Sequence, residues 1–416
     1  MVVGIIIGAS IFVQPSEITR QIPSVAGIVL VWVLAGILTV AGALVCAELA
    51  SAFPQSGGVY VFLSKCYSPV LGFLWGWAMF WSMHSGIIAA IAIVFGRYAG
   101  VLLGARVDEH VAAVAAIAVL TVVNAAGVRY GARVQTAFTA AKVLAIGAII
   151  VAGVWLSNGV VPPPPAGPLA PVSPQAFAMA LAAGLFAFGG WHMATYAAGE
   201  TVDAGRTIPR ALVAGTLIVT ACYAGLNAVY LRVLPLEAVR ASTHVASDAA
   251  AVLLGDRGAT WIASLVLIST FGAVNGIILA GPRVYFSMAA DGLLFRSLAA
   301  VHPRFQTPAR AILLQGAWSC VLAFATSYRT LFMSVVNTEW LFFALLAVGL
   351  VRLRRRPEYR PLYRVWGYPA VPLLFAAVSL GLVVVQALAN TPATVLGFGL
   401  VLAGVPVYVL WLRGHR

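Results

Sequence analysis

Long stretches without a charge constrain this chain more than any other feature. No Asp, Glu, Lys or Arg occurs from Val25 to Ala47, from Pro69 to Gly96 or from Ala370 to Ala389. Roughly 20 apolar residues in a helix cross the hydrocarbon core of a bilayer, so each stretch reads as a membrane span. Only 9% of the 416 residues are charged, against roughly 25% in a soluble domain. A soluble fold is excluded, and the fold class is an all-α polytopic membrane protein.

Twelve transmembrane helices are predicted, at about 1–23, 27–52, 69–98, 110–128, 132–157, 175–200, 208–233, 259–289, 309–327, 330–351, 369–389 and 394–412. With the N-terminus inside, the larger share of the 25 Lys and Arg falls in cytoplasmic segments. By the positive-inside rule this gives a multi-pass protein of the cell (inner) membrane with both termini cytoplasmic. The net charge of +13 is carried singly or in short groups between spans, which fits orientation and not nucleic acid. Met1 leads into the first apolar run without a basic n-region, unlike a cleavable signal peptide, and the chain is expected to begin inside its first helix.

Two of the spans carry clusters of very small residues: Gly8-Ala9-Ser10 in the first, Gly189-Gly190 in the sixth. A break in a membrane helix frees backbone groups that lipid cannot satisfy, so it persists only where protein or a wet cavity receives them. At such a break the amides of the following half-helix suit a carboxylate, and the carbonyls ending the preceding half suit an ammonium. Together they match an α-amino acid, although the same small residues also serve close helix packing. The uncharged, proline-rich segment 158–174 reads as an external connection. It divides the chain into a first five-helix repeat (1–157), a second, inverted one (175–351), and a basic cytoplasmic loop with two terminal helices (352–416). A short amphipathic helix is expected at Val245 to Leu254.

Lys142 is the one lysine inside a span. An intramembrane cation is costly and needs carbonyls or a carboxylate as partner, unless it snorkels to the edge. Glu339, Trp340 and His192 are further candidates for gating or coupling; the bland reading of each is helix-end charge, packing aromatic or core histidine. No Walker lysine loop, His-Glu-x-x-His or Gly-x-Ser-x-Gly occurs, so no enzyme, cofactor or metal is expected. The four cysteines, Cys46, Cys66, Cys222 and Cys320, form no metal or disulfide pattern.

Six motifs then stand in order: Ile6-Ile-Gly-Ala-Ser-Ile-Phe12, Ala47-Glu-Leu-Ala-Ser-Ala-Phe-Pro-Gln-Ser-Gly-Gly-Val-Tyr60, Asn124-Ala-Ala-Gly-Val-Arg129, Phe186-Ala-Phe-Gly-Gly-Trp191, Thr207-Ile-Pro-Arg210 and Arg283-Val-Tyr-Phe-Ser-Met-Ala-Ala-Asp-Gly292. On these the chain resembles the amino acid, polyamine and organocation transporter superfamily, and looks closest to bacterial relatives of the L-type amino acid transporters. The resemblance implies a LeuT-like 5+5 inverted repeat with discontinuous helices 1 and 6. It implies secondary active transport of small or mid-sized neutral L-amino acids, by sodium-independent exchange or proton-linked uptake. Ile6, Gly8, Ala9 and Ser10 would face the substrate's carboxylate and amine; Phe186, Ala187 and Gly189 would take the amine and wall the pocket, with Phe186 as outer gate. Lys142 matches a lysine that stands where sodium-coupled cousins hold sodium. The sequence departs from the family at Ser10, usually glycine, and at His192, asparagine in many L-type relatives. Segment 158–174 has no cysteine, so no disulfide-linked heavy chain is expected. A cationic amino acid or polyamine carrier of the same fold, with Glu339 facing the pocket, stays open, as does an amino-acid-binding sensor or channel.

Overall fold

A computed structural model describes residues 1–103, 107–157, 172–389 and 391–414. Segment 158–171, most of the proline-rich connection, lies outside the described residues. All the regular secondary structure described is helical, as a lipid-embedded backbone requires when each N–H must find a carbonyl nearby.

The first span is two pieces, α1 (Val2–Ile6) and α2 (Ser10–Gln21), and α3 (Val25–Ala52) is the second. The third begins at Pro69 as α5 (Pro69–Ala78), passes through a π-helical segment (Met79–Met83) and continues as α6 (His84–Leu103). Between the second and third lies a short helix, α4 (Val59–Cys66), where the sequence led us to expect only a loop. The fourth and fifth spans are α7 (Glu109–Ala125) and α8 (Val128–Leu156). The sixth is α9 (Pro174–Ala187) followed by a 3₁₀ segment (Trp191–Glu200), and α10 (Ala204–Val233) is the seventh. Two loop helices follow, α11 (Leu236–Ala241) and α12 (Val245–Leu254). The second matches the amphipathic helix expected there, burying Val245, Ala246 and Ala249 while Val252 and Leu254 are exposed. The eighth span is α13 (Asp256–Ala280) with α14 (Pro282–Ala290); α15 (Ala309–Ala325), α16 (Tyr328–Leu353), α17 (Ala370–Ala389) and α18 (Thr391–Gly414) complete the set.

Among the described residues, seven helical stretches are long and apolar enough to cross a membrane by length and composition alone. The other five expected spans correspond to the broken α1–α2 pair, the 17-residue helices α7 and α15, and the longer α16 and α18. Helix starts follow from side chains. Ser24 and Ser173 accept from the amides of Gly27 and Ala176, and Asp108 from those of His110 and Val111, while Pro69 and Pro174 occupy first-turn positions where no N–H is needed. Glycines set close approaches. A Cβ on Gly36 would lie 2.7 Å from Thr220, and one on Gly153 2.5 Å from Val229, so α3 and α8 press directly on α10.

Deviations from regular helix locate the interior. In the third span Ser85 Oγ donates to the carbonyl of Phe80 at the π segment (2.7 Å). In the eighth, Pro282 lacks the N–H that would reach Ile278, and the helix steps between Ala280 and Pro282. The broken first and sixth spans are largely buried, whereas Leu144, Trp155, Leu388 and Leu396 project at 70–79% exposure. That apolar outer belt is the surface lipid covers.

Candidate functional site

The first break is set by Ile7, at φ −72° and ψ 87°, outside helical geometry. In a continuous helix the carbonyls of Gly4, Ile6 and Ile7 would accept from the amides of Gly8, Ser10 and Ile11. Here they turn elsewhere. Lys142 of α8, fully buried, donates to Gly4 O (2.9 Å) and Ile7 O (2.7 Å), and its third N–H goes to Ser269 O of α13 (3.1 Å). An ammonium has three donors and no acceptor, so this set uses it completely. The snorkelling alternative for Lys142 is thereby excluded: the amine points inward and ties α1, α8 and α13 together.

The carbonyl of Ile6 is met by Tyr223 of α10, whose hydroxyl lies 3.0 Å from Ile6 O and 2.9 Å from Ala187 O. Ala187 ends α9, so one phenol bridges the two breaks. A phenol carries a single proton; the two carbonyls share it, and each keeps acceptor capacity. Trp32 and Phe188 pack against the Tyr223 ring at 5.7 and 4.9 Å and hold it in place.

The second break closes with 3₁₀ bonds, Phe188 N to Leu185 O and Gly189 N to Phe186 O, and then Gly190 turns through φ +92°. That left-handed conformation favours glycine. Space demands it too, because a Cβ there would lie 2.6 Å from Ile5 Cγ2. The two breaks are therefore in direct contact. At the start of α2 the amide of Phe12 returns to Ala9 O (3.0 Å), and the positive end of the helix dipole lies at the break.

Of the residues singled out from the sequence, the structure brings Ile6, Ala187 and Lys142 onto one connected hydrogen-bond set, through Tyr223 and the first break. Gly8, Ala9, Ser10, Phe186 and Gly189 lie on the two breaks themselves, with Ala9, Ser10 and Phe186 buried. His192 is fully buried in the 3₁₀ segment and Glu339 nearly so on α16, with Nε2 and Oε1 3.5 Å apart. Trp340 stands apart from the breaks in its ring contacts, against Phe343 (5.6 Å) and Phe375 (5.8 Å).

Sequence reasoning missed Tyr223 and Ser269, ordinary residues of apolar spans, and the pairing of Glu48. That carboxylate is fully buried on α3; it accepts two bonds from Arg354 (2.8 and 2.5 Å) and one from Val365 N (2.7 Å). On the same face, Arg283 holds Glu200 through Nε (2.6 Å) and Nη2 (2.7 Å), and Tyr60 donates to Asp291 (2.6 Å). The motif Ala47 to Tyr60 thus serves at its two ends as anchorage for distant loops. Among the described residues no group of three or more His, Cys, Asp and Glu is placed to hold a metal ion.

The profile of the amino acid permease family spans residues 1–411. The chain is 33% identical over 414 residues to the serine/threonine exchanger SteT of Bacillus subtilis, covering 98% of this chain and 94% of that one. It is 32% identical over 428 residues to the large neutral amino acids transporter small subunit 2 of Oryctolagus cuniculus (99% and 78% covered). It is 32% identical over 401 residues to the b(0,+)-type amino acid transporter 1 of Mus musculus (92% and 80%). With its broken first and sixth spans, and with relatives aligned over nearly its whole length, the chain belongs to the amino acid permease family of the amino acid, polyamine and organocation superfamily of membrane transporters.

Proposed function

We propose that this protein carries small or mid-sized neutral L-amino acids across the cell membrane without sodium, by exchange or by proton-linked uptake. The observation that carries the reading is the Tyr223 bridge, which brings the carbonyl ends of α1 and α9 to one point beside the amide start of α2. An α-amino group suits those carbonyls and an α-carboxylate suits those amides. In this reading Ile6, Gly8, Ala9 and Ser10 bind the main-chain ends of the substrate from the first break, Phe186, Ala187 and Gly189 from the second, and Phe186 closes over it.

The sodium-independent part rests on Lys142. Its ammonium occupies the carbonyls between α1 and α13 where a coupling cation would need to sit. The relatives support the substrate class, being named for serine/threonine exchange and for large neutral amino acids. A cationic amino acid or polyamine would require Glu339 to face the pocket alone; its imidazole neighbour at 3.5 Å weighs against that. Segments 1–157 and 175–351 act as the two repeats that rock against each other, with both termini cytoplasmic. The cysteine-free segment 158–174 leaves the carrier working without a disulfide-linked heavy chain.

The test is competition in proteoliposomes loaded with unlabelled L-serine. Uptake of labelled L-serine should saturate and be competed by neutral L-amino acids, with arginine, putrescine and D-isomers weak. Uptake competed best by arginine or putrescine would overturn the substrate class.

A further inference from the structure

His192 and Glu339 are the one ion pair, among the described residues, that lies wholly inside the spans. Their approach of 3.5 Å lacks hydrogen-bond geometry, and Glu339 Oε1 and both His192 ring nitrogens have no protein partner. Among the described residues, neither of the cations buried within the spans is free to serve the carboxylate. Lys142 gives its three donors to carbonyls, and Arg283 is held by Glu200 and by the carbonyl of Leu279. Among the described residues, His84 on α6 faces His192 and Tyr196 on the 3₁₀ segment faces Glu339, with Cys46 on α3 and Tyr285 on α14 near Tyr196 in turn; none is a permanent charge.

Two sites sharing dry surroundings have three proton counts. With none, a lone carboxylate is buried; with two, a lone imidazolium. Either costs several kcal/mol. With one proton the pair is net neutral, whether as acid plus imidazole or as ion pair, so the closed protein retains one proton. We propose that His192 and Glu339 form a single-proton site whose loading and release are tied to the opening of the transport cycle. The proposal rests on the transport reading above. When one face admits solvent, the carboxylic O–H bond breaks and the proton passes to a water molecule; it is regained from water at the other face. The two partners sit on different elements, His192 two residues beyond the Gly190 turn and Glu339 on α16, so a movement of one element against the other would part them.

A path of buried side chains leads away from the pair. The His192 ring meets Tyr196 at 5.6 Å and Tyr196 meets His84 at 5.3 Å. His84 Nδ1 and Gln315 Oε1 both flank Gly281, 2.9 and 2.7 Å from where its Cβ would be, and neither atom has a protein partner. Buried polar atoms without partners call for a functional explanation. Two residues beyond Gly281, Arg283 holds Glu200, which is 49% exposed. The buried chain of contacts thus ends two residues from an ion pair that is partly open to one face of the membrane domain.

The experiment uses full-length protein in liposomes containing a pH-sensitive dye, with labelled L-serine as probe. For the wild type, an acid-outside gradient should drive serine above its equilibrium level, and added serine should acidify the interior. Glu339→Gln should lose both signals by about tenfold or more, and any counterflow it retains should be flat between pH 5.5 and 8.5. His192→Asn should displace the pH midpoint of gradient-driven uptake by about one unit or more; it carries the test if Glu339→Gln does not fold. Serine counterflow in the wild type with no dye response overturns the proton site alone. Wild-type pH profiles in the folded variants do the same. No counterflow of any amino acid at any pH overturns the transport reading and the proton site together.

Discussion

Lys142 has three N–H donors and three carbonyls to receive them, which makes its replacement informative. Lys142→Ala takes the ammonium from Gly4 O, Ile7 O and Ser269 O; Ile7 O keeps a long bond from Ser269 Oγ (3.5 Å) and Ser269 O lies within α13, so Gly4 O carries the main penalty, roughly 1–3 kcal/mol. Serine counterflow should fall by about tenfold or more, with a clear loss of thermal stability in detergent; unchanged turnover would remove Lys142 from the mechanism. Tyr223→Phe keeps the ring packing and deletes only the shared proton, so it should weaken exchange with little change in melting temperature. Saturation curves for the two proteins check this. How much of the site was legible divides along these residues. Lys142 stood out because a charge in an apolar span needs an explanation. Tyr223 did not, because a phenol in a membrane helix is common and its role depends on two carbonyls that lie 36 and 217 positions away in sequence.

The breaks belong to the scale of elements, and there the sequence was more informative. Gly8-Ala9-Ser10 and Gly189-Gly190 marked both interruptions because helix continuity fails where side chains are absent and a positive φ is needed. Gly190→Ala should destabilise the fold by about 2 kcal/mol or more, from a contact 2.6 Å from Ile5 and an unfavourable left-handed φ; a melting temperature equal to the wild type would contradict that geometry. The 3₁₀ winding of the sixth span after the break, the π segment and the short helix α4 were not legible. The 3₁₀ winding and α4 are tied by tertiary contacts, Gly57 N to Tyr196 O and Ser287 Oγ to Ser56 O, and the π segment by a side-chain bond from Ser85 to Phe80 O that apolar patterning does not reveal. Between α11 and α12, His244 lies against Tyr98 (5.1 Å) and within 2.8 Å of Thr243 Oγ1. Burial holds its imidazole below the usual 6.5, opposed by Asp248 and Glu109 and assisted by Arg97. The unfolded chain then binds the extra proton more readily. The stabilisation is therefore complete above pH 6.5 and lost as pH falls through the lowered folded value. Melting at pH 7.5 and 5 should show a smaller acid-induced drop in His244→Gln than in the wild type.

At the scale of the whole molecule, charge-free spans fixed the class of protein, and motif order fixed the family. What stayed hidden was how one face is fastened. Glu48 with Arg354, Arg283 with Glu200 and Tyr60 with Asp291 join α3, α4, the 3₁₀ segment, α14 and the loop after α16. Their sequence separations conceal them. An alternating carrier has to release some of these ties in each cycle, and Glu48→Gln should loosen that face, leaving Arg354 half-satisfied. Cysteine labelling near Tyr363 should quicken in the variant, and equal labelling rates would leave Glu48 with a purely structural role. The central claim is that backbone ends freed by two touching breaks carry an amino acid while Lys142 takes the place of a coupling cation. The most direct measurement is trans-stimulation of labelled L-serine uptake into proteoliposomes, with sodium replaced by choline on both sides. The account predicts that internal L-serine speeds uptake severalfold, equally in sodium and choline. Uptake that requires sodium, or that ignores the internal amino acid, would contradict it.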